Sequence, residues 1–260
     1  MTILDKIIEK KHVEVAQAKA AVPLAELERR PLFDRTCHVL RTSILDPAKT
    51  GIIAEYKRAS PSKGIINDHA TVHDVVSGYQ QAGASAVSVL TDPEFFKGSL
   101  DDLVAARAAL TLPLLRKEFI IDLYQIVEAK AHGADIILLI AAALTPMQVK
   151  TLSEFAKSLG MNVLLEVHDR AELEQSMVDS VDAIGVNNRN LKDFSVSIDH
   201  SLELVSLIPD RFIKVSESGI SNPDTIKLLR KAGFQGFLIG ENFMKTSNPA
   251  QAIQEFVTAL

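Results

Sequence analysis

Apolar residues in this chain fall into short continuous runs, separated by stretches with helical spacing. From Gly51 onward the runs occupy 51–56, 86–90, 112–115, 136–140, 163–165, 182–186, 212–215 and 236–239. Between and after them, 71–82, 100–109, 122–132, 145–159, 169–178, 199–207, 222–232 and 249–259 show amphipathic helical periodicity. Continuous apolar strands alternating with helices indicate a parallel sheet covered on its faces. Helix boundaries are marked as well. Thr145-Pro146 and Asn222-Pro223 pair an N-cap residue with proline at the first helical position, and Gly83, Gly133 and Gly233 stand where left-handed C-caps are needed.

Residues 51–260 hold eight such units of about 26 residues, enough for a strand and its crossover helix. Eight units favour closure into a (β/α)8 TIM barrel of the α/β class. The competing topology, a doubly wound open sheet, would normally carry a glycine-rich turn after its first strand, and none is present. Ahead of the barrel, 3–20 reads as an amphipathic helix with Ile3, Leu4, Ile7, Ile8 and Val15 on one side. Pro23 opens a second short helix ending before Pro31, and irregular sequence leads from there to Gly51. No linker or low-complexity stretch interrupts the chain. The expectation is one domain, 1–260, with 1–50 as an N-terminal helical extension and 51–260 as the barrel.

Composition narrows the function. A chain of 260 residues can bury a sizeable core without cross-links. The lone Cys37 excludes an internal disulfide and a four-cysteine zinc site, and it suits a reducing compartment. With 28 basic against 33 acidic residues, the net charge of −5 argues against nucleic acid or a membrane surface as main partner. A local basic pocket remains compatible with it. The first twenty residues carry charges every few positions and lack a signal-peptide core. The longest apolar run, 136–144, is nine residues, less than half a membrane span. A soluble, cytoplasmic protein acting on a small molecule is expected. Its oligomeric state is left open, and a monomer is compatible.

In such a barrel the chemistry gathers at the C-terminal ends of the strands. There the sequence reads Glu55-Tyr56-Lys57, Arg116-Lys117-Glu118, Leu165-Glu166, Val186-Asn187 and Ser216-Glu217. One charged residue ending a strand ordinarily just emerges into solvent. Five of eight strands delivering an ionisable or amide group to one mouth is a stronger signal. Lys57, Lys117, Glu55, Glu166 and Glu217 brought together would shift one another's pKa values, as acid–base work requires. Burial beside Lys57 is expected to lower the pKa of Lys117, with Glu55 and Glu166 opposing, to give an intermediate value. The loops after the last two strands contain Gly219 and Gly240, which let backbone approach a phosphate, and the 60–64 loop with Ser60 and Lys63 adds hydroxyls and charge. His69 and His73 stand four apart but lack an apparent third metal ligand, so no metal is expected. A Gly-x-Ser-x-Gly elbow is absent, and Cys37 lies outside the barrel without an activating partner.

The string Ile53-Ala54-Glu55-Tyr56-Lys57-Arg58-Ala59-Ser60-Pro61-Ser62-Lys63-Gly64 resembles the signature of the indole-3-glycerol-phosphate synthase family. The resemblance continues at Leu114-Leu115-Arg116-Lys117-Glu118-Phe119, Leu164-Leu165-Glu166-Val167, Gly185-Val186-Asn187-Asn188-Arg189-Asn190-Leu191 and Ser216-Glu217-Ser218-Gly219-Ile220. It runs from the N-terminal helices to Leu260. It implies a carbon–carbon lyase of tryptophan biosynthesis that uses neither metal nor organic cofactor. That enzyme converts 1-(2-carboxyphenylamino)-1-deoxyribulose 5-phosphate into indole-3-glycerol phosphate, CO2 and water. By resemblance, Lys117 is the general acid, Glu166 transfers a proton in the dehydration with Lys57 assisting, and Glu55 holds the lysines and Glu166 in register. Asn187 and Glu217 hydrogen-bond substrate hydroxyls, with Arg189 and Ser218 on the polar side. Phe96, Phe119, Leu138 and Leu191 match the aromatic pocket. Ser60, Gly219, Gly240 and Glu241 match the phosphate region. Some members have serine where Glu241 stands, and its side chain is expected to turn away from the phosphate.

Three other activities fit such a barrel. A phosphoribosylanthranilate isomerase would need a strand-end cysteine, which the barrel lacks. A Schiff-base aldolase would use Lys117 as nucleophile. A non-catalytic phosphate-ligand binder could dispense with both Lys117 and Glu166.

Overall fold

The computed structural model describes residues 2–190 and 194–260. The extension comprises α1 (Ile3–Ala21), α2 (Leu24–Leu27) and α3 (Leu40–Ile44). The barrel follows: β1 (Ile52–Tyr56), a small hairpin of β2 (Ala59–Ser60) and β3 (Gly64–Ile65), α4 (Val72–Gln81), β4 (Ala86–Leu90), α5 (Leu100–Ala109), β5 (Leu114–Lys117), α6 (Leu123–Ala131) and β6 (Ile136–Ile140). It continues with α7 (Pro146–Ser158), β7 (Asn162–Val167), α8 (Arg170–Ser176), β8 (Ala183–Asn187), α9 (Asp199–Leu204), β9 (Ile213–Glu217), α10 (Pro223–Ala232), β10 (Gly236–Ile239), α11 (Glu241–Met244) and α12 (Pro249–Thr258). Eight strands close in the order β1-β4-β5-β6-β7-β8-β9-β10, each parallel to its neighbours. This is the expected (β/α)8 barrel.

Side chains alternate along each strand, and the alternation sorts them into two apolar layers. Ile52, Ala54 and Tyr56 face out into the packed shell between strands and helices, together with Val87, Val89, Leu165 and Val186. Ile53, Ala86, Leu115, Ile136, Leu138, Leu164, Ala183, Ile213 and Val215 face in. Continuing the same inward rows by two residues leads from Ile53 to Glu55, from Leu115 to Lys117, from Leu164 to Glu166 and from Val215 to Glu217. The strands are therefore apolar at the start of the barrel and ionisable at its end.

The extension seals the apolar end. Leu40 and Ile44 of α3 join the inward layer, and Leu40 is fully buried. The Leu40 N–H donates to Asn162 Oδ1 at 3.1 Å, and Ser43 Oγ donates to the carbonyl of Ser85 at 2.5 Å. Nearby, buried Asp135 accepts from Arg35, Arg107 and the backbone of His38 and Leu114. α3 stands within a stretch whose sequence reads as irregular, because five residues are too few to show periodicity. α11 and the β2–β3 hairpin are likewise too short to show periodicity. β5 begins at Leu114 rather than 112, since Pro113 cannot donate to the ladder. The Gly233 C-cap is left-handed (φ 116°), with Gly83 and Gly133 also at positive φ. No helix among the described residues is long and apolar enough to cross a membrane.

Candidate active site

Two adjoining cavities open at the C-terminal mouth of the barrel. The deeper one is lined by Glu55, Lys57, Ser60, Phe96, Lys117, Phe119, Leu138, Glu166, Asn187, Arg189, Glu217, Ser218 and Glu241. The shallower one shares Glu55, Lys57, Arg189, Ser218 and Glu241, and adds Gly219, Gly240, Lys63 and Lys245. Every candidate site residue thus borders this mouth except Leu191, which lies outside the described residues.

Lys117 is the centre of the charge cluster. Its Nζ lies 2.8 Å from Glu217 Oε2 and 3.3 Å from Glu166 Oε2. Burial alone would push the ammonium's pKa down, but the charges of Glu217, Glu166 and Glu55 outweigh it and hold the pKa above the usual lysine range. The expectation of an intermediate value is corrected, because a third carboxylate, Glu217, makes the closest contact. Glu55 lies 3.0 Å from Lys57 and accepts a 3.4 Å hydrogen bond from Ser88 Oγ. It pairs directly with Lys57 and acts on Lys117 through its charge.

Two carboxylates beside one ammonium do not titrate alike. Burial raises the Glu217 carboxyl to about 7, with Lys117 only partly opposing it and Glu166 adding repulsion. Glu166 is buried too, yet Lys117, His168 and Asn187 bring it below the usual carboxylate range. Asn187 Nδ2 donates to Glu166 Oε1 at 2.9 Å, while Asn187 Oδ1 accepts from the Arg189 backbone at 3.0 Å. Backbone clearance makes the crowding feasible. A Cβ on Gly185 would lie 2.0 Å from Glu217 Oε1, and one on Gly240 would lie 2.7 Å from Glu55 Oε1. Glycine at these positions leaves room for the carboxylates, which gives Gly240 a role its sequence context did not suggest.

Around this centre the wall divides into an apolar and a polar side. Phe96 and Phe119 stand tilted with centroids 6.1 Å apart, next to Leu138. On the opposite side, Ser60 Oγ is buried with no hydrogen-bond partner among the described residues. Glu241 borders both cavities. Its carboxylate lies between Arg189 (3.6 Å) and Lys63 (4.0 Å), partly exposed to solvent.

The sequence reading missed six contributors. Ile3, Leu4 and Ile7 of α1 roof the deeper cavity, although their apolar stripe was visible as ordinary amphipathicity. Phe194 and Lys245 border the mouth from loops with no diagnostic pattern. His168 stands behind Glu166, its Nε2 3.4 Å from Oε1. Away from the mouth, His69 and His73 are exposed beside Asp68 and Asp74, and no metal-holding cluster of His, Cys, Asp or Glu occurs among the described residues. Cys37 lies below the barrel, its Sγ 3.9 Å from the carbonyl of Ala134.

Comparison with known proteins adds to this geometry. The family model for indole-3-glycerol phosphate synthase matches residues 4–256. The chain belongs to that family. Relatives carrying that name include one from Bacteroides thetaiotaomicron, 45% identical over 258 residues and covering 99% of this chain and 98% of its own. Another, from Polaromonas sp. (strain JS666), is 46% identical over 257 residues, with 97% of each chain covered. Among solved structures, a chain of a tryptophan synthase complex from Pyrococcus furiosus superposes with a TM-score of 0.61 at 16% identity, covering 82% of this chain and 98% of that one. The 3-hexulose-6-phosphate synthase of Salmonella typhimurium gives 0.63 at 13% identity, covering 80% and 97%. These two show the barrel fold alone. The indole-3-glycerol phosphate synthase family is thus reached from the family model and from full-length relatives.

Proposed function

We propose that this chain is an indole-3-glycerol phosphate synthase, a carboxy-lyase of tryptophan biosynthesis. It converts 1-(2-carboxyphenylamino)-1-deoxyribulose 5-phosphate into indole-3-glycerol phosphate, CO2 and water. The observation that carries the reading is the Glu166–Lys117–Glu217 cluster at the floor of a cavity with an aromatic wall on one side and cations on the other. The substrate has the same division: an aromatic ring at one end, a phosphate at the other and a ketose between.

Phe96, Phe119 and Leu138 take the ring. Ser60, Lys63, Arg189 and the Gly219–Gly240 side take the phosphate, whose charge competes with the Glu241 carboxylate for Arg189 and Lys63. The ketose carbonyl then lies over Lys117. As the ring carbon attacks it, the carbonyl oxygen becomes an alkoxide, a strong enough base to draw the proton even from a well-held ammonium. Loss of CO2 returns its bonding electrons to the ring. The new hydroxyl then takes a proton from the Lys57 ammonium and leaves as water, while the methylene carbon beside the ring nitrogen gives up a proton. Glu166 takes that proton, and Lys57, 3.0 Å from Glu55, assists. Asn187, Glu217 and Ser218 hydrogen-bond the sugar hydroxyls.

The charge state of Lys117 weighs against the aldolase alternative, since a Schiff-base lysine needs a lowered pKa. Residues 1–50 and 51–260 act as one domain in this reading, because the extension both plugs the barrel and roofs its cavity. The enzyme is cytoplasmic and needs no nucleic-acid or membrane partner. Supplying the carboxyphenylamino-ribulose phosphate tests the assignment. Indole fluorescence should appear in step with one CO2 per turnover; absence of both from folded protein would refute it.

A further inference from the structure

Behind the cavity wall, an imidazole stands between carboxylates from separate elements. His168 follows the last residue of β7. Its Nδ1 lies 3.2 Å from Glu172 Oε2, in the first turn of α8, and the same oxygen accepts its backbone N–H at 2.8 Å. Its Nε2 is buried 3.4 Å from Glu166 Oε1, at an angle that makes no hydrogen bond. His168 lines neither cavity. The charged groups facing it are Glu166 from β7, Glu172 from α8 and Glu217 from β9. Lys117 lies on the far side of Glu166. Burial opposes a charged imidazole, but these anions outweigh it and raise its pKa.

We propose that His168, anchored by Glu172, is a positioning residue that keeps Glu166 ionised after Lys117 has given up its proton. The inference rests on the reading of Glu166 as the group that takes the proton in the dehydration. At the start of the cycle Lys117 suffices to hold Glu166 as a carboxylate. Once Lys117 has protonated the ketose, that cation is neutral, and a buried carboxylate beside Glu217 would tend to take up a proton. A base already protonated cannot serve the later step. The imidazolium on the side away from the substrate is then the cation that keeps it available, and Glu172 fixes the ring so that Nε2 faces Oε1.

Two measurements test this. In the pH profile of kcat, His168→Gln should move the acidic limb upward by about half a unit or more, a loss of about threefold or more in kcat below the limb, with KM nearly unchanged. Glu172→Gln, which keeps the imidazole but removes its anchor, should shift the limb in the same direction by less. A purely structural role would instead lower kcat equally at every pH, and that result overturns the proposal. The second measurement needs no turnover. The His168 imidazole, assigned in the NMR spectrum by its absence in His168→Gln, should titrate above the ordinary histidine range and fall in Glu166→Gln. A titration indifferent to Glu166→Gln also overturns the proposal. Coupling that persists in a chain unable to turn over the substrate would instead count against the assigned reaction alone.

Discussion

Lys117, Glu166 and Glu217 illustrate how position alone differentiates identical groups. Both glutamates are buried and both touch the same ammonium, yet Glu217 is raised to about 7 while Glu166 is lowered. The difference is that Glu166 has additional partners in Asn187 and His168, whereas Glu217 Oε1 is buried without a hydrogen-bond partner among the described residues. A carboxyl near 7 is neutral below that pH and anionic above it. If the anion receives the sugar hydroxyls, kcat/KM should climb as pH rises through about 7, and Glu217→Gln should remove that step; a step that persists would point to another group. Gly185→Ala offers a steric counterpart. The added methyl displaces the end of a flexible side chain, so folding should be nearly retained while kcat falls at least about tenfold as Glu217 leaves Lys117. Wild-type kcat in Gly185→Ala would show that the carboxylate's placement is not critical. The types and strand-end positions of these residues were legible in the sequence. Their pairing was not, because period-two alternation says which side chains face inward but not which neighbour each one meets across the mouth.

Among the elements, α1 differs most from its sequence reading. Its helical period was plain, and Ile7 and Val15 are buried as their spacing suggests. Lys11, on the same face, looks like a solvated lysine in the sequence. In the fold it is only 3% exposed and lies 2.9 Å from Asp92, 3.0 Å from Glu118 and 2.6 Å from Glu14. Those distant carboxylates also hold the aromatic wall. Asp92 accepts the backbone N–H groups of Phe95 and Phe96, and Glu118 accepts that of Phe119. Only the closed barrel brings them together, so no local pattern could reveal the cluster. Replacing Lys11 with methionine leaves buried carboxylates without their cation, which should cost about 3–5 kcal/mol in denaturant unfolding. KM should rise with it, as Phe96 and Phe119 loosen. A loss under about 1 kcal/mol would mean that the helix is held by its apolar face alone.

At the scale of the whole molecule, stability and chemistry occupy opposite ends of one cylinder. The barrel was legible because each unit repeats an apolar strand and an amphipathic helix, with capping residues and terminal glycines marking several of them, so errors at one boundary, such as the start of β5, left the count intact. The plug was not, since α3 has too few residues to show a period. Leu40→Ala should therefore cost about 2–5 kcal/mol in unfolding free energy while leaving kcat near wild type at temperatures where the protein is folded. A large kcat loss in folded Leu40→Ala would show that the two ends are coupled. At the other end, the central claim is that a single loaded ammonium starts the reaction from a site that binds its ligand independently of it. The direct measurement is single-turnover conversion by Lys117→Ala, alongside its affinity for the product's glycerol-phosphate portion. The expected result is ring closure slowed at least about a hundredfold with that affinity retained within severalfold; turnover close to wild type would contradict the account.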